Sequence, residues 1–435
     1  MQRISIWTCV LCTMLPVTEI VRPAEDASRA DARWEDLQSG DKDRMLRAAA
    51  VLRESPNDAQ RALTALVGML NDPSPDKRFA AALSLAELKI TDPALASPLL
   101  TALQDEAVTS QDDLVCMGAA TALGRLRINV VPELTNLIGS DRMLVRQAAA
   151  VALSGLGELS APAVPRLIEL ARSADPIARY VSLGALMGIG PAAGAAAPVA
   201  RDLLQHEDFH TQYWACRVLG RIGPPEAIPA VPQLIRLLRE SSTSVRRNAA
   251  RALGNIGPAA GEQVLDPLIV ALRDPNAPVR EAAAVALGDL GTFARQAGPA
   301  LTTALHDPQF GAPSAAAVAL VRTTKETDQA LQVLVQEVQR KEANLAAAEA
   351  FATLGADAAA AVPALRQLLQ SDSVETRWCA ALALQGVGPT ARAALPELER
   401  LRTDSDEDVR NAAETAARSI AGGGPPAKDS TSPPR

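Results

Sequence analysis

One stretch of the chain has residue types whose spacing could bind a metal, because His206, Glu207 and His210 follow the pattern H-E-x-x-H. In that pattern two histidines bind zinc and the glutamate activates a water molecule, but only when the five residues lie on a helix that turns both imidazoles to one face. The repeat described below places this stretch in a turn between helices. No third histidine follows at the spacing of zinc peptidases. We therefore predict an exposed turn and no metal site.

The cysteines and the remaining motifs do not point to an enzyme. Cys9 and Cys12 belong to the N-terminal segment, whereas Cys116, Cys216 and Cys379 fall in three distant repeats. A disulfide needs Cα atoms within about 7 Å, so we predict three free thiols. No G-x-x-x-x-G-K-[ST], G-x-S-x-G or paired Cys/His arrangement occurs. The sequence predicts a non-catalytic protein without a cofactor.

A recurring phrase organises the chain into repeats. ALGNIG at 252–257 returns as ALGDLG at 286–291, and related phrases close with glycine at a spacing of mostly 33 or 34 residues. The closing glycines are Gly157, Gly190, Gly223, Gly257, Gly291, Gly355 and Gly388. Weaker members end at Ser55, Lys89, Arg127, Thr324 and Ala421. The pattern predicts twelve units, with one spacing stretched by a polar insert around 109–113.

Columns of similar residues appear when positions are counted back from each unit's end. Eight positions back, eleven units have a small residue, and leucine usually stands four residues later. Residues four apart share one face of a helix, so we expect these two columns to form the buried stripe. The small residues are Ala81, Ala119, Ala149, Ser182, Ala215, Ala249, Ala283, Ala316, Ala347, Ala380 and Ala413.

A basic column stands eleven positions back. It comprises Arg44, Arg78, Arg146, Arg179, Arg246, Arg280, Arg377 and Arg410, and an aspartate precedes most of its members by a few residues. We expect aspartate to cap the following helix and arginine to pair with it or with the aspartate of a neighbouring unit. The column is broken at Cys116, Gln212, Pro313 and Asn344, which suggests a bend or joint near 308–350.

Each unit is predicted to contain a helix A, such as VPQLIRLLRE from Val231, and a helix B, such as SVRRNAARALGNIG from Ser244. Proline suits the first turn of helix A, and glycine supplies a left-handed cap after helix B. The pattern VPxLxxLLxDxxxxVRxxAAxALGxIG resembles the HEAT repeat, especially the short form of phycobilin lyase subunits and bacterial scaffold proteins, over residues 31–421. The resemblance implies an all-α, right-handed α-solenoid of about twelve HEAT-type helix pairs, with helix B on the concave face. Deoxyhypusine hydroxylase is an enzyme with the same type of repeat, and it binds iron through His-Glu pairs just after the arginine column. No such pair occurs at those positions here, which argues against that activity.

The position ten residues before each unit's end lies about 160° from the buried column, since successive helical residues are about 100° apart. It should therefore be exposed. This column holds Phe79, Met117, Tyr180, Tyr213 and Trp378. The predicted binding residues, on the inner face of units five to seven, are Tyr180, Tyr213, Arg217, Arg247 and Arg251. The alternative is that the rings pack against neighbouring units and the arginines only hydrate the groove.

Charge and the chain ends limit the choice of partner and location. The net charge is −7 and the pI is near 5.3, which disfavours nucleic acid as a partner. Residues 1–30 are predicted to be a signal peptide, which makes the protein exported, periplasmic or secreted; a disordered leader and a cytoplasmic location remain the alternative. Residues 422–435 are predicted to be a disordered tail. No later segment is predicted to span a membrane, and we expect a monomer.

Two functions remain open from the sequence. The first is a non-enzymatic scaffold that binds a protein or peptide in its concave groove. The second is an accessory protein similar to the phycobilin lyase subunits, which would bind a tetrapyrrole or a modified protein.

Overall fold

A computed structural model describes residues 28–109, 114–307, 313–325, 327–340 and 345–422. These residues form two compact units, which meet in sequence between Pro229 and Ala230. The described part contains 24 α-helices, so the prediction of twelve helix pairs is confirmed. Six pairs belong to each unit.

In the first unit, each helix A is followed by its helix B. The pairs are α1 (Ser28–Gln38) with α2 (Lys42–Leu52), α3 (Pro56–Met69) with α4 (Pro75–Leu88), α5 (Ala96–Leu103) with α6 (Val115–Arg125), α7 (Val131–Leu137) with α8 (Met143–Leu156), α9 (Val164–Ala171) with α10 (Pro176–Ile189), and α11 (Ala197–Leu203) with α12 (Phe209–Ile222).

The second unit repeats the same arrangement. Its pairs are α13 (Val231–Glu240) with α14 (Thr243–Ile256), α15 (Leu265–Ala271) with α16 (Ala277–Asp289), α17 (Gly298–His306) with α18 (Pro313–Thr324), α19 (Asp328–Val338) with α20 (Leu345–Leu354), α21 (Val362–Leu368) with α22 (Val374–Val387), and α23 (Leu395–Leu401) with α24 (Glu407–Ala421). Within each unit, every helix B packs against its own helix A and against the next helix B.

The buried stripe of each helix B is the one predicted. All eleven small residues of the column eight back are fully buried. The leucine four residues later is also buried in every unit that has one. Small side chains let neighbouring helices approach closely, and removing such a leucine side chain costs about 2–5 kcal/mol in a packed core. The three described cysteines, Cys116, Cys216 and Cys379, are buried and free, as expected.

The closing glycines adopt a backbone conformation that differs from the predicted one and is more restricted to glycine. Between Gly157 and Gly388, the five that cap helix B directly have φ from 59° to 75° and ψ from −130° to −169°. This is not the left-handed helical region that we expected but a region that only glycine enters readily. Lys89, with φ 57° and ψ 24°, does adopt the left-handed conformation. In two of the twelve repeats, the residue with positive φ that follows helix B comes one position later than expected, at Lys325 and Gly422.

The arginine column connects successive helix pairs, as predicted. The guanidinium pairs with an aspartate of the following pair in Arg78–Asp105, Arg146–Asp175, Arg246–Asp274 and Arg377–Asp404. The Nη1 atom of most column arginines also donates to a carbonyl oxygen of its own interhelix turn, at 2.7 to 3.0 Å. Arg78, Arg146, Arg246 and Arg377 therefore each fix one turn and one stacking contact.

Several sequence predictions concern residues outside the described ranges. Residues 1–27 and 423–435 contain almost all of the predicted leader and tail, and α1 already begins at Ser28. Residues 110–113 of the polar insert are also outside, although Val108 and Leu114 on either side form an antiparallel bridge. The joint near 308–350 includes undescribed residues and stays a prediction.

Two apolar segments are long enough to cross a membrane by length and composition alone. They are Pro176–Leu203, whose most apolar window is 61% buried, and Leu345–Leu368, whose window is 44% buried. Each contains two α-helices joined by a 3-10 turn, and core helices of soluble proteins pass the same test. The expectation that no segment spans a membrane therefore stays a prediction.

Candidate functional site

The candidate binding surface is one stripe of each helix B. We call the positions ten, six and two residues before each closing glycine the B face; they are four residues apart and so share one side of the helix. On α10 these residues are Tyr180, Gly184 and Gly188; on α12, Tyr213, Arg217 and Arg221; on α14, Arg247, Arg251 and Asn255; and on α16, Glu281, Val285 and Asp289. The first two helices belong to the first compact unit and the last two to the second, so each unit has B faces of its own.

The predicted exposure of the position ten residues back is wrong for two of its aromatics. Phe79 is 8% exposed and Trp378 is 5% exposed, so both are part of the packing. Phe79 lies over Gly118 of the next helix B, where an added Cβ would meet the ring at 2.9 Å. Helices also approach closely at Gly124 and Gly155, where a Cβ on either would lie 2.9 Å from the Cα of the other. At these glycines neighbouring helices B pack directly against each other.

Tyr180 is half-buried and belongs to a network that joins the fifth pair to the sixth. Its hydroxyl donates to Asp208 Oδ2 at 2.7 Å, and the hydroxyl and amide of Thr211 donate to the same oxygen at 2.6 and 2.9 Å. Arg179 Nε donates to the Thr211 hydroxyl at 3.0 Å. This chain of contacts takes the place of the direct Arg–Asp bridge in other pairs. For Tyr180, the structure therefore favours the packing alternative.

The same network shifts two pKa values. Burial raises the pKa of Tyr180 to about 12, and the adjacent Asp208 carboxylate contributes to that rise. Burial by itself would raise the pKa of Asp208, but hydrogen bonds from Thr211, Tyr180 and the amide of His210 lower it to about 2. Asp208 is thus a charged acceptor whose donors come from its own helix and the preceding pair.

The H-E-x-x-H stretch crosses from a turn into a helix, so the predicted turn is confirmed for His206 and Glu207 but not for His210, and both histidines are half-buried. Helix α12 begins at Phe209, so His206 and Glu207 precede the helix and His210 lies within it. The Nδ1 atom of His206 accepts the amide of Asp208 at 3.0 Å. No group of three or more His, Cys, Asp or Glu side chains arranged to hold a metal occurs among the described residues.

Tyr213 and Arg217 form a local pair on α12. Arg217 Nη1 donates to the Tyr213 hydroxyl at 2.7 Å, and the guanidinium lies 5.4 Å from the Tyr213 ring and 5.0 Å from the Trp214 ring. Both members are half-buried, whereas Arg221, one turn further on, is exposed. The pair presents an aromatic ring and a cation side by side, in the way predicted from their four-residue spacing.

Arg247 and Arg251 differ from every arginine that stacks the repeats. Both are exposed, and neither makes a hydrogen bond or an ion pair with any described residue. The preceding residue, Arg246, contacts both carboxylate oxygens of Asp274, at 2.7 and 3.0 Å, and keeps only 15% of its side chain exposed. Adjacent arginines on one helix therefore have separate roles, since Arg246 binds the next repeat and Arg247 faces outward.

The next helix B, α16, has three B-face residues that the sequence interpretation missed. On α16, Glu281 is exposed, Val285 keeps 42% of its area exposed, and the side chain of Asp289 keeps 35%. Asp289 Oδ1 accepts Arg322 Nη1 at 3.1 Å. Burial raises the pKa of Asp289, while the nearby charges of Arg322 and Arg251 oppose that rise. Glu281 belongs to the column ten back, where the aromatic residues were the stronger signal.

Comparisons with known proteins agree with this repeat architecture. A family model described as HEAT repeats matches residues 101–187, 164–236, 231–321 and 327–418. A search of curated proteins gave no match.

Among solved structures, an engineered protein is 22% identical, covering 90% of this chain and 98% of its own, with a TM-score of 0.34. Kap121p bound to Ste12p is 14% identical over 93% of this chain, which spans 57% of that protein, with a TM-score of 0.48. The CpcE–CpcF complex of phycocyanin lyase from Nostoc sp. PCC7120 is 24% identical over 55% of this chain and 94% of its own, with a TM-score of 0.37. At these identities, the likeness concerns the fold alone.

Proposed function

The chain belongs to the HEAT-repeat family, and from this premise we propose that it is a non-enzymatic scaffold that binds a protein or peptide partner on its B faces. The observation that carries the proposal is the pair Arg247 and Arg251, which is exposed and makes no hydrogen bond or ion pair with the described residues. Stacking of the repeats uses Arg246 instead. Exposed arginines that make no hydrogen bond or ion pair within the chain's own described residues are typical anchors of protein interfaces.

In the first unit, Tyr213 and Arg217 supply a second contact of the same kind. The ring and the guanidinium are already in contact, so little side-chain freedom is lost when a partner covers them. Tyr180 contributes less, because its hydroxyl is committed to Asp208.

Site-specific photo-crosslinking tests this proposal directly. A photo-reactive amino acid is placed at position 251 or 217 on the B face, or at position 236, which is exposed on a helix A. Extracts of the native organism are irradiated with each variant. We expect discrete crosslinked proteins from position 251 and position 217 but none from position 236. Equal crosslinking from all three positions would contradict binding on the B face.

The tetrapyrrole alternative has no specific support among the described residues, because the likeness to the phycocyanin lyase complex concerns the fold. A visible absorption band that stays with the protein purified from its native organism would reopen it. Export and a monomeric state are further proposals, tested by the mass of the mature chain and by its mass in solution.

A further inference from the structure

The exposed residues of α14 form a row that turns gradually around the helix, because residues four apart are offset by about 40°. Arg247, Arg251 and Asn255 are all exposed and follow one another at four-residue intervals. A helix rises 1.5 Å per residue, so these side chains start about 6 Å apart along the axis. An extended peptide advances about 6.6 Å for every two residues, and its alternate side chains point the same way. The row therefore matches alternate residues of an extended chain.

The chemistry of the row favours carboxylates. Arginine presents a planar fork of donors that bonds both oxygens of a carboxylate. The forks of Arg247 and Arg251 make no hydrogen bond or ion pair within the described ranges. Arg246, on the same helix, differs because its guanidinium already donates to both carboxylate oxygens of Asp274.

We propose that the α14 row binds an extended peptide segment with acidic residues at alternate positions, one carboxylate on Arg247 and the next on Arg251. Asn255 is the next residue of the row, and its side-chain amide can donate to and accept from the peptide backbone or a polar side chain. This inference rests on the proposed scaffold function and names its partner as an acidic, extended stretch of protein.

Nucleic acid fits the row less well than an acidic peptide. Strands without sequence preference bind through aromatic side chains that stack on bases, and the B faces of α14 and α16 carry Arg, Asn, Glu, Val and Asp. The chain's net charge of −7 also repels a long polyanion more than a segment with two carboxylates.

Asp289 on α16 competes with such a peptide. Its charge interacts with that of Arg251, and it accepts a hydrogen bond from Arg322. Replacing the carboxylate with an amide removes the negative charge and keeps the shape. Asp289→Asn should therefore bind an acidic peptide more tightly, which is a gain that misfolding cannot mimic.

Fluorescence anisotropy with synthetic peptides tests the proposal on the full chain. One labelled peptide carries Glu-Ala-Glu and the other carries Glu-Glu-Ala, in the same Gly/Ser flanks. We expect the alternating peptide to bind at least about 3-fold more tightly, with added salt weakening both. Arg247→Glu with Arg251→Glu should lower the affinity at least about 10-fold, and Asp289→Asn should raise it about 2- to 3-fold.

The matched control is Arg236→Glu with Arg239→Glu on α13. These arginines are exposed, lie in the same helix pair and give the same change in net charge. They should leave peptide affinity within about 2-fold of the original, since long-range charge effects are screened beyond about 10 Å at 0.1 M salt. An equal loss in the control variant would overturn the proposal, as would equal affinity for both peptides.

The same anisotropy experiment includes a labelled single-stranded oligonucleotide with the same charge as the peptides. Tighter binding of the oligonucleotide than of the alternating peptide would also overturn the proposal. Failure of the peptides while position 251 still crosslinks to a protein would reject the acidic peptide but keep the scaffold function. Failure of both experiments would reject both.

Discussion

Arg377 contacts both carboxylate oxygens of Asp404 on the next helix pair, with Nε and Nη2 each at 2.8 Å. Its Nη1 atom donates to the carbonyl oxygen of Ser371, in the turn before its own helix, at 2.9 Å. Only 12% of the arginine side chain and 8% of the aspartate side chain are exposed. One side chain thus holds a turn and a repeat-to-repeat contact together.

Removing one member of this pair should destabilise the second unit. Asp404→Asn leaves a largely buried guanidinium without its charge partner but keeps one acceptor oxygen, and we expect a loss of about 2–3 kcal/mol of unfolding free energy. Arg377→Lys should also lose stability, because an ammonium cannot contact both oxygens and the turn carbonyl at once. Urea unfolding followed by circular dichroism measures both. Unchanged midpoints in the two variants would show that the bridge contributes nothing to stacking.

Acid should weaken the stack through the same carboxylates. The hydrogen bonds and charge of Arg377 hold the pKa of Asp404 below its usual value. A group whose pKa is lower in the folded state stabilises fully above its unfolded pKa, about 3.9, and loses that contribution as the pH falls further. The unfolding free energy should therefore be flat from about pH 7 to 5 and fall below about pH 4. The decline should be smaller in Asp404→Asn; an identical decline would mean that other groups cause it.

The period of the sequence predicted the helix pairs because each pair depends on local signals. The small column recurs in eleven of the twelve repeats, and proline near the start of helix A and the closing glycine recur in most of them, so an error in one repeat does not affect the prediction of the next. The exposure of individual aromatics could not be predicted in the same way. Phe79 is buried because Gly118, on a different helix pair, leaves room for its ring.

The candidate site was predicted only in part, for a related reason. Arg247 and Arg251 are exposed as expected, since their spacing from the buried column fixes the side of the helix on which they lie. The commitment of Tyr180 to Asp208 depends on the turn of the following pair, where Thr211 takes the place of a direct arginine bridge. Helical phase alone does not reveal such a contact.

Two glycines inside helices should respond oppositely to alanine. Alanine favours a helix over glycine by about 1 kcal/mol. At Gly386 in α22, however, the new Cβ would lie 2.6 Å from backbone atoms of Ala352 on α20. The resulting overpacking costs about 1–3 kcal/mol, so we expect Gly386→Ala to be destabilising overall.

Gly68 in α3 is the matched control for this substitution. A Cβ there meets nothing within 4 Å, so Gly68→Ala should raise stability by about 0.5–1 kcal/mol. Thermal unfolding of the two variants gives the comparison. A gain of stability at Gly386 would show that α20 and α22 can separate without loss.

Zinc should not bind stoichiometrically at the H-E-x-x-H stretch. His206 precedes α12 while His210 lies in its first turn, and the Nδ1 atom of His206 already accepts the amide of Asp208. We expect the purified chain, exposed to excess zinc and then desalted, to retain no more metal than His206→Ala. One zinc per chain, lost in that variant, would contradict the turn assignment.

Tyr180→Phe separates packing from binding on the B face. The substitution keeps the ring but removes the hydroxyl that donates to Asp208, so we expect a loss of about 1 kcal/mol of unfolding free energy. Because that hydrogen bond helps to keep the pKa of Asp208 at about 2, the variant should start from a lower free energy of unfolding but lose less of it as the pH falls below about 4, and that loss should end at a higher pH than in the original chain. Crosslinking from position 251 should continue, since Arg251 lies in the other compact unit. If stability were unchanged at every pH while crosslinking from position 217 disappeared, Tyr180 would be a binding residue and not a packing residue.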